Sequence, residues 1–286
     1  MDVEEDMIDR SQPTSLIKVC GLTRPSDVTQ AVELGAWAVG FVLAPSPRRV
    51  TVEQARALAA AARAARPGGP EPGPEPGGAT QGAASRLPLT VGVFVDATAG
   101  EIAATVGVAG LDAVQLHGPE PGARAVREAL GDRARDVLII QAVAVPATGA
   151  AAVGLRAVAT AAREGAGMLL FDTRSGGRFG GTGTPFPWAV AREAAGGAPF
   201  LVAGGIGPHN VREALDTSGA TGVDVSSGVE SSPGVKDAGL LCALFAASVG
   251  GAAPGMRDQR AVSPAGGGRR VARPAGDREL LEGRKL

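Results

Sequence analysis

Leu16-Ile17-Lys18-Val19-Cys20 is a short run rich in β-branched and apolar residues, followed by Gly21-Leu22-Thr23-Arg24 and then Pro25, which suits the first turn of a helix. A doubly wound nucleotide-binding sheet carries a glycine fingerprint at this strand-to-helix turn, and Cys20-Gly21-Leu22-Thr23 has none. The same order of strand run and alanine-rich amphipathic stretch recurs along the chain. Strands are expected at Leu16–Cys20, Ala38–Leu43, Leu89–Val95, Ala113–Leu116, Val137–Val143, Met168–Asp172, Phe200–Ala203 and Gly222–Val225. Helices are expected to begin near Pro25, Val52, Glu101, Pro119, Ala150, Pro187, Pro208 and Val235, with Thr51 capping the second and Pro208 in the first turn of the seventh. Strands that are apolar on nearly every residue imply a parallel sheet covered on both faces. Equal βα repetition favours closure, so the expected class is α/β: a single (β/α)8 TIM barrel.

Two stretches fall outside the repeat. Residues 67–86, beginning Pro-Gly-Gly-Pro-Glu-Pro-Gly-Pro-Glu-Pro, carry too few apolar side chains to offset the entropy of ordering them, and a flexible loop is expected. After Val249 the chain turns to Gly, Ala, Pro and Arg, so 250–286 reads as a disordered tail. Its arginines lack interleaved aromatics and are mixed with Asp258, Asp277, Glu279 and Glu282, which argues against a nucleic-acid partner. The expected organisation is a flexible extension at 1–14, a barrel at 15–249 interrupted by 67–86, and the tail.

The acidic start, with Asp2, Glu4, Glu5, Asp6 and Asp9 and no apolar stretch, is unlike a secretory signal, and a cytoplasmic location is expected. With 44% hydrophobic and 20% charged residues and no apolar run of ~20, the chain reads as globular and free of membrane spans. A net charge of −1 excludes a general polyanion binder, so an anionic ligand must be held by local groups. Two cysteines and two histidines are too few for a disulfide framework or the usual structural zinc site, and no metal is expected. The expected partner is a small molecule and the expected state a monomer.

In a (β/α)8 barrel the carboxyl ends of all strands open onto one face, so polar residues there converge. Cys20 ends the first strand; a partly exposed thiol there can act as base or nucleophile, or be a small buried hydrophobe, the reading that Cys242 within Leu240-Leu241-Cys242-Ala243-Leu244-Phe245 takes. Asp172 follows Met168-Leu169-Leu170-Phe171; half-desolvated, it would hold a proton and donate it, whereas as an N-cap it would anchor a loop. Gly181 and Gly183, in the stretch Gly176–Gly183, can lend backbone amides to an anion, although a P-loop's Gly-Lys-Ser/Thr ending is missing. Ala203-Gly204-Gly205-Ile206 and Ser226-Ser227-Gly228-Val229-Glu230 follow the last two strands, where such barrels often cradle phosphate. Of Arg48 and Arg49, one is suited to a planar carboxylate by paired hydrogen bonds and the other to the surface. His117 either touches a ligand or orients loops.

Lys18-Val19-Cys20-Gly21-Leu22-Thr23, Val91-Gly92-Val93-Phe94-Val95, Val114-Gln115-Leu116-His117-Gly118, Phe171-Asp172-Thr173, Gly180-Gly181-Thr182-Gly183, Gly204-Gly205-Ile206 and Val223-Asp224-Val225-Ser226-Ser227-Gly228-Val229-Glu230 occur in that order. Together they resemble the phosphoribosylanthranilate isomerase family over residues 15–249. The resemblance implies an Amadori rearrangement in tryptophan biosynthesis, run without metal or organic cofactor because the substrate nitrogen is the electron sink. It implies Asp172 as general acid, Cys20 as general base, Arg49 on the anthranilate carboxylate, and Gly204, Gly205, Ser226, Ser227 and Gly228 around the phosphate. A histidine-pathway isomerase performing the same rearrangement would carry an acidic residue at the position of Cys20, and a catalytically silent barrel would be free to lose Cys20 or Asp172. Deleting 250–286, or replacing 67–86 by a short linker, is expected to leave kcat nearly unchanged, which steady-state kinetics on the two deletion variants would check.

Overall fold

The computed structural model describes residues 15–66, 88–118, 120–146, 155, 158–160, 162–175, 178–179 and 187–249. The extension, the insertion, the tail, the expected helix start at Ala150, and Gly181 and Gly183 lie outside them. Eight parallel strands form the barrel: β1 (Leu16–Cys20), β2 (Ala38–Val42), β3 (Leu89–Val95), β4 (Ala113–His117), β5 (Leu138–Pro146), β6 (Met168–Ser175), β7 (Phe200–Val202) and β8 (Gly222–Val225), with the short strand Arg178–Phe179 added antiparallel to β6. Their order is β5-β4-β3-β2-β1-β8-β7-β6, and β6 pairs again with β5, so the sheet closes into the expected barrel. Closure also places the first and last strands side by side, with Lys18 opposite Asp224.

The helices described are α1 (Pro25–Glu33), α2 (Val52–Ala64), α3 (Ala99–Ala109), α4 (Ala123–Leu130), α5 (Ala189–Ala195), α6 (Val211–Ser218) and α7 (Ala238–Ser248). Pro25 opens α1, and Thr51 caps α2 in a reciprocal box with Gln54. Several starts differ from expectation for local reasons. Glu101 is the third residue of α3, returning a hydrogen bond to the N-cap Thr98, so the helix begins two residues earlier. Pro121 disfavours helical backbone at the residue before it, and α4 begins only after Gly122. The stretch at Pro208 is a turn held by Asn210, whose side chain accepts from the Gly207 amide and donates to the Gly205 carbonyl, and α6 starts at Val211. Val235 lies in a hairpin strand, Val235–Lys236, paired with Glu230–Ser232; the helix follows at Ala238, capped by Asp237.

Period-two alternation separates two cores. Ile17, Val19, Val39, Phe41, Val114, Leu116, Leu169, Phe171, Val202 and Val223 pack outward against the helices. Ala38, Leu89, Val91, Ala113, Ile140, Met168, Leu170 and Leu201 form a separate apolar plug inside the barrel. Moving two residues along β1, β4, β6 and β8 from that inner face brings Lys18 and Cys20, Gln115 and His117, Asp172, and Asp224 into the barrel toward its carboxyl end. All six are buried.

Candidate active site at the barrel mouth

Cys20 is only 7% exposed, which corrects the expectation of a partly exposed thiol: it faces into the barrel rather than out of its rim. Burial pushes its pKa up, and the Lys18 ammonium, two residues earlier on the same face, works against that rise. Lys18 is fully buried and donates to Asp224 Oδ1 at 2.8 Å. Its pKa is raised: desolvation opposes the charge, but Asp224 and Cys20 together outweigh it. Across the barrel, Asp172 carries a carboxyl whose pKa is lifted to about 7, first by burial and then by the negative charge of Asp224. Its Oδ1 is buried without a hydrogen-bond partner among the described residues. A carboxyl in that state holds its proton near neutrality and has an oxygen open to a ligand.

His117 lies 2.7 Å, ring Nε2 to amide Nε2, from Gln115, and desolvation together with the Lys18 charge lowers its pKa to about 4. It is therefore a neutral imidazole, hydrogen-bonded through Nε2 to the Gln115 side-chain amide. Gln141 of β5 donates to the carbonyls of Leu116 and Gly118, fixing the loop that follows His117.

The two late turns abut. Gly204 (φ +91°) needs left-handed backbone, and a side chain there would strike Thr173, next to Asp172. A side chain on Gly228 would collide with the Ile206 carbonyl, so the 204–207 and 226–228 turns pack backbone to backbone. Arg48 forms a two-pronged pair with Glu230, Nε to Oε1 at 2.8 Å and a terminal nitrogen to Oε2 at 2.6 Å. Its stem lies over Gly21 (φ +75°), where an added Cβ would come within 2.5 Å of Arg48 Cδ. Lys236 completes the cluster, donating to Glu230 at 2.8 Å and to the Ser226 carbonyl at 3.0 Å. Burial acts to raise the pKa of Glu230, but the hydrogen bonds from these two cations hold it below the ordinary carboxylate range. Arg48 thus ties the loop after β2 to the turn after β8, while Arg49 remains exposed and, among the described residues, has no ion pair. Among the described residues no cluster of His, Cys, Asp and Glu is placed to hold a metal ion, and no helix is long and apolar enough to cross a membrane.

A family model described as N-(5'phosphoribosyl)anthranilate (PRA) isomerase matches residues 79–247. An N-(5'-phosphoribosyl)anthranilate isomerase of Nitrobacter hamburgensis is 38% identical over 232 residues, 79% of this chain and 89% of the relative. The chain belongs to the phosphoribosylanthranilate isomerase family. The crystal structure of the phosphoribosyl anthranilate isomerase from Thermus thermophilus is similar at a TM-score of 0.61 and 35% identity, covering 81% of this chain and 97% of that one. A phosphoribosyl anthranilate isomerase solved in complex with reduced 1-(o-carboxyphenylamino)-1-deoxyribulose 5-phosphate is similar at a TM-score of 0.60 and 30% identity, covering 82% of this chain and 98% of that one.

In this member of the phosphoribosylanthranilate isomerase family, Cys20 and His117 close β1 and β4, Asp172 lies within β6, which runs on to Ser175 beyond its expected end at Asp172, and Gly204, Gly205, Ser226, Ser227 and Gly228 follow β7 and β8. Cys242 departs from expectation. It is exposed, because the buried stripe of α7 runs through Leu241, Leu244 and Ser248 and leaves it on the outer face. The residues missed are Lys18, Asp224, Gln115, Glu230 and Lys236. Two of them carried a readable signal: Lys18 and Asp224 are charges set inside otherwise apolar strands, and Lys18 shares the face of Cys20 by strand alternation.

Proposed function

We propose that this chain converts N-(5-phosphoribosyl)anthranilate into 1-(2-carboxyphenylamino)-1-deoxyribulose 5-phosphate, with Asp172 as general acid and Cys20 as general base. The observation that carries this reading is the pairing, inside one barrel mouth, of a carboxyl that keeps its proton near pH 7 with a thiol flanked by an ammonium. Asp172 gives its proton to the ribose ring oxygen as the C1–O bond breaks, and the anthranilate nitrogen lends its electron pair to form the iminium. The Cys20 thiolate takes the C2 proton, and the C2–H electrons flow to C1 and back to nitrogen, leaving an enolamine. Protonation at C1 with loss of the C2 hydroxyl proton gives the ketone. The paired turns at Gly204–Gly205 and Ser226–Gly228 are glycine and serine backbone suited to a phosphate dianion. The abutting of the two turns supports one shared anion site.

Arg49 takes the anthranilate carboxylate in this reading, since the guanidinium of Arg48 is already committed to Glu230. Arg49→Ala is expected to raise KM with little change in kcat, by about 1.5–3 kcal/mol of lost charged hydrogen bonding. Arg48→Ala is expected to act on thermal stability, and a larger KM effect for Arg48 than for Arg49 would reverse the assignment. His117 stays neutral and serves as a hydrogen-bonding wall of the site.

The acid titrates below the base, so the productive form, protonated Asp172 with ionised Cys20, is the minor of two singly protonated states. Its population rises with pH up to about 7, stays level, and falls only when pH passes the raised value of the thiol. The expected kcat/KM profile is a plateau with its acid limb near 7. A decline that starts near 7 would place the thiol below the carboxyl and reject this order. The reading also takes the enzyme to be a cytoplasmic monomer; among the described residues the exposed large apolar side chains are few, Val108, Val158, Leu240 and Val249. The deciding experiment is an isomerase assay on the purified protein, with growth of a tryptophan-requiring strain that lacks this step as its test in cells. No turnover by folded protein in the assay would overturn the proposal.

A further inference from the structure

Lys18 and Asp224 form a buried ion pair that none of the steps above consumes, and its two ends meet different partners. An added Cβ on Gly40, opposite Cys20 in the β1–β2 register, would lie 2.9 Å from Cys20 Sγ and 3.1 Å from Lys18 Nζ, so thiol and ammonium crowd the same point. Asp224, bonded to that ammonium at 2.8 Å, stands on β8 and faces the interior into which Asp172 of β6 also projects. We propose that this pair polarises the barrel mouth, Lys18 holding negative charge on Cys20 while Asp224 keeps the proton on Asp172. Lys18 and Asp224 are then positioning residues that act through the acid and the base, and the inference rests on the roles proposed for those two groups.

The electrostatics agree in sign at both ends. After burial, the largest influence on Cys20 is Lys18, ahead of Asp224 and Lys236. After burial, the largest influence on Asp172 is Asp224, ahead of Lys18. The other charged groups near Cys20 are Lys236 and Arg48, both tied to Glu230, and His117 is neutral. The Glu230 carboxylate offsets one of those two positive charges, and Lys18, the cation that shares a strand face with the thiol, acts on it more strongly than Lys236 does. A pair retained only for packing has no need of this orientation, because buried ion pairs often exchange for apolar residues without loss of stability.

The test separates the thiol from the activity. In a Cys242→Ser background, which removes the exposed thiol, the rate of Cys20 alkylation by iodoacetamide is followed against pH. Lys18→Met is expected to move the alkylation midpoint up by about one pH unit or more, and so to cut thiolate near neutrality about tenfold. Should Lys18→Met fail to fold, the neutral pair Lys18→Met/Asp224→Leu gives the same reading, with the midpoint again raised because Lys18 outweighs Asp224 at the thiol. Asp224→Asn is expected to move the acid limb of kcat/KM below its wild-type position by more than it moves the alkaline limb. An unmoved midpoint in the folded Lys18 variants, or an unmoved acid limb in Asp224→Asn, overturns the proposal. A raised midpoint together with undiminished turnover in Cys20→Ala would leave Lys18 governing the thiol and reject only the base role.

Discussion

Asp172→Asn lowers kcat by a factor on the order of 10²–10⁴ while stabilising the fold at alkaline pH; that is the result expected if this carboxyl is the acid. Asparagine keeps the shape and one oxygen but has no proton to give to a leaving ring oxygen. The stability gain follows from linkage. The folded pKa of Asp172, about 7, lies above the unfolded value of ~3.9, so its contribution to stability is complete at acid pH and is lost as pH rises through about 7. The uncharged asparagine loses nothing over that window, and its advantage at pH 8 reaches up to about 4 kcal/mol. Denaturant midpoints of both proteins at pH 5 and pH 8.5, together with steady-state kinetics, check the two halves at once. A variant that is slow but not more stable at pH 8.5 than wild type would show that folding does not raise the pKa of this carboxyl above its unfolded value.

Cys20→Ala is expected to lower kcat by a similar factor, about 10²–10⁴, since acid and base act on different atoms and neither can cover for the other. Cys20→Asp is expected to retain more activity than Cys20→Ala. A carboxylate is a base without needing activation, and the Lys18 ammonium is already there to hold it ionised. Cys20→Ser should do poorly, because a hydroxyl is hardly ionised even beside an ammonium. Alanine also leaves a small cavity beside Gly40, so circular dichroism and thermal melts must accompany the kinetics. Folded Cys20→Ala with near wild-type turnover would leave the thiol as a packed side chain only.

The barrel was legible because its signals are local. Period-two and helical periodicities mark each βα unit, and Pro25 and Thr51 open their helices where the sequence places them. The misplaced starts, at Glu101, Pro119, Pro208 and Val235, are sites where side chain–backbone bonds, a neighbouring proline or a hairpin compete with the helix. The ends of apolar runs announced Cys20, His117 and Asp172, because a polar residue closing such a run lies toward the mouth of a barrel, although β6 itself continues to Ser175. By itself, then, the sequence determined the fold and the family, and it named the side chains that the proposed function uses. Which of them are charged, and which of two adjacent arginines is free, only the tertiary structure decided. Lys18 meets Asp224 across 206 positions because the barrel closes β1 on β8, and Arg48 meets Glu230 across 182 for the same reason. Burial and charge at a site depend on every element packed around it, so a carboxyl with a pKa near 7 cannot be read from the residues beside it in the chain.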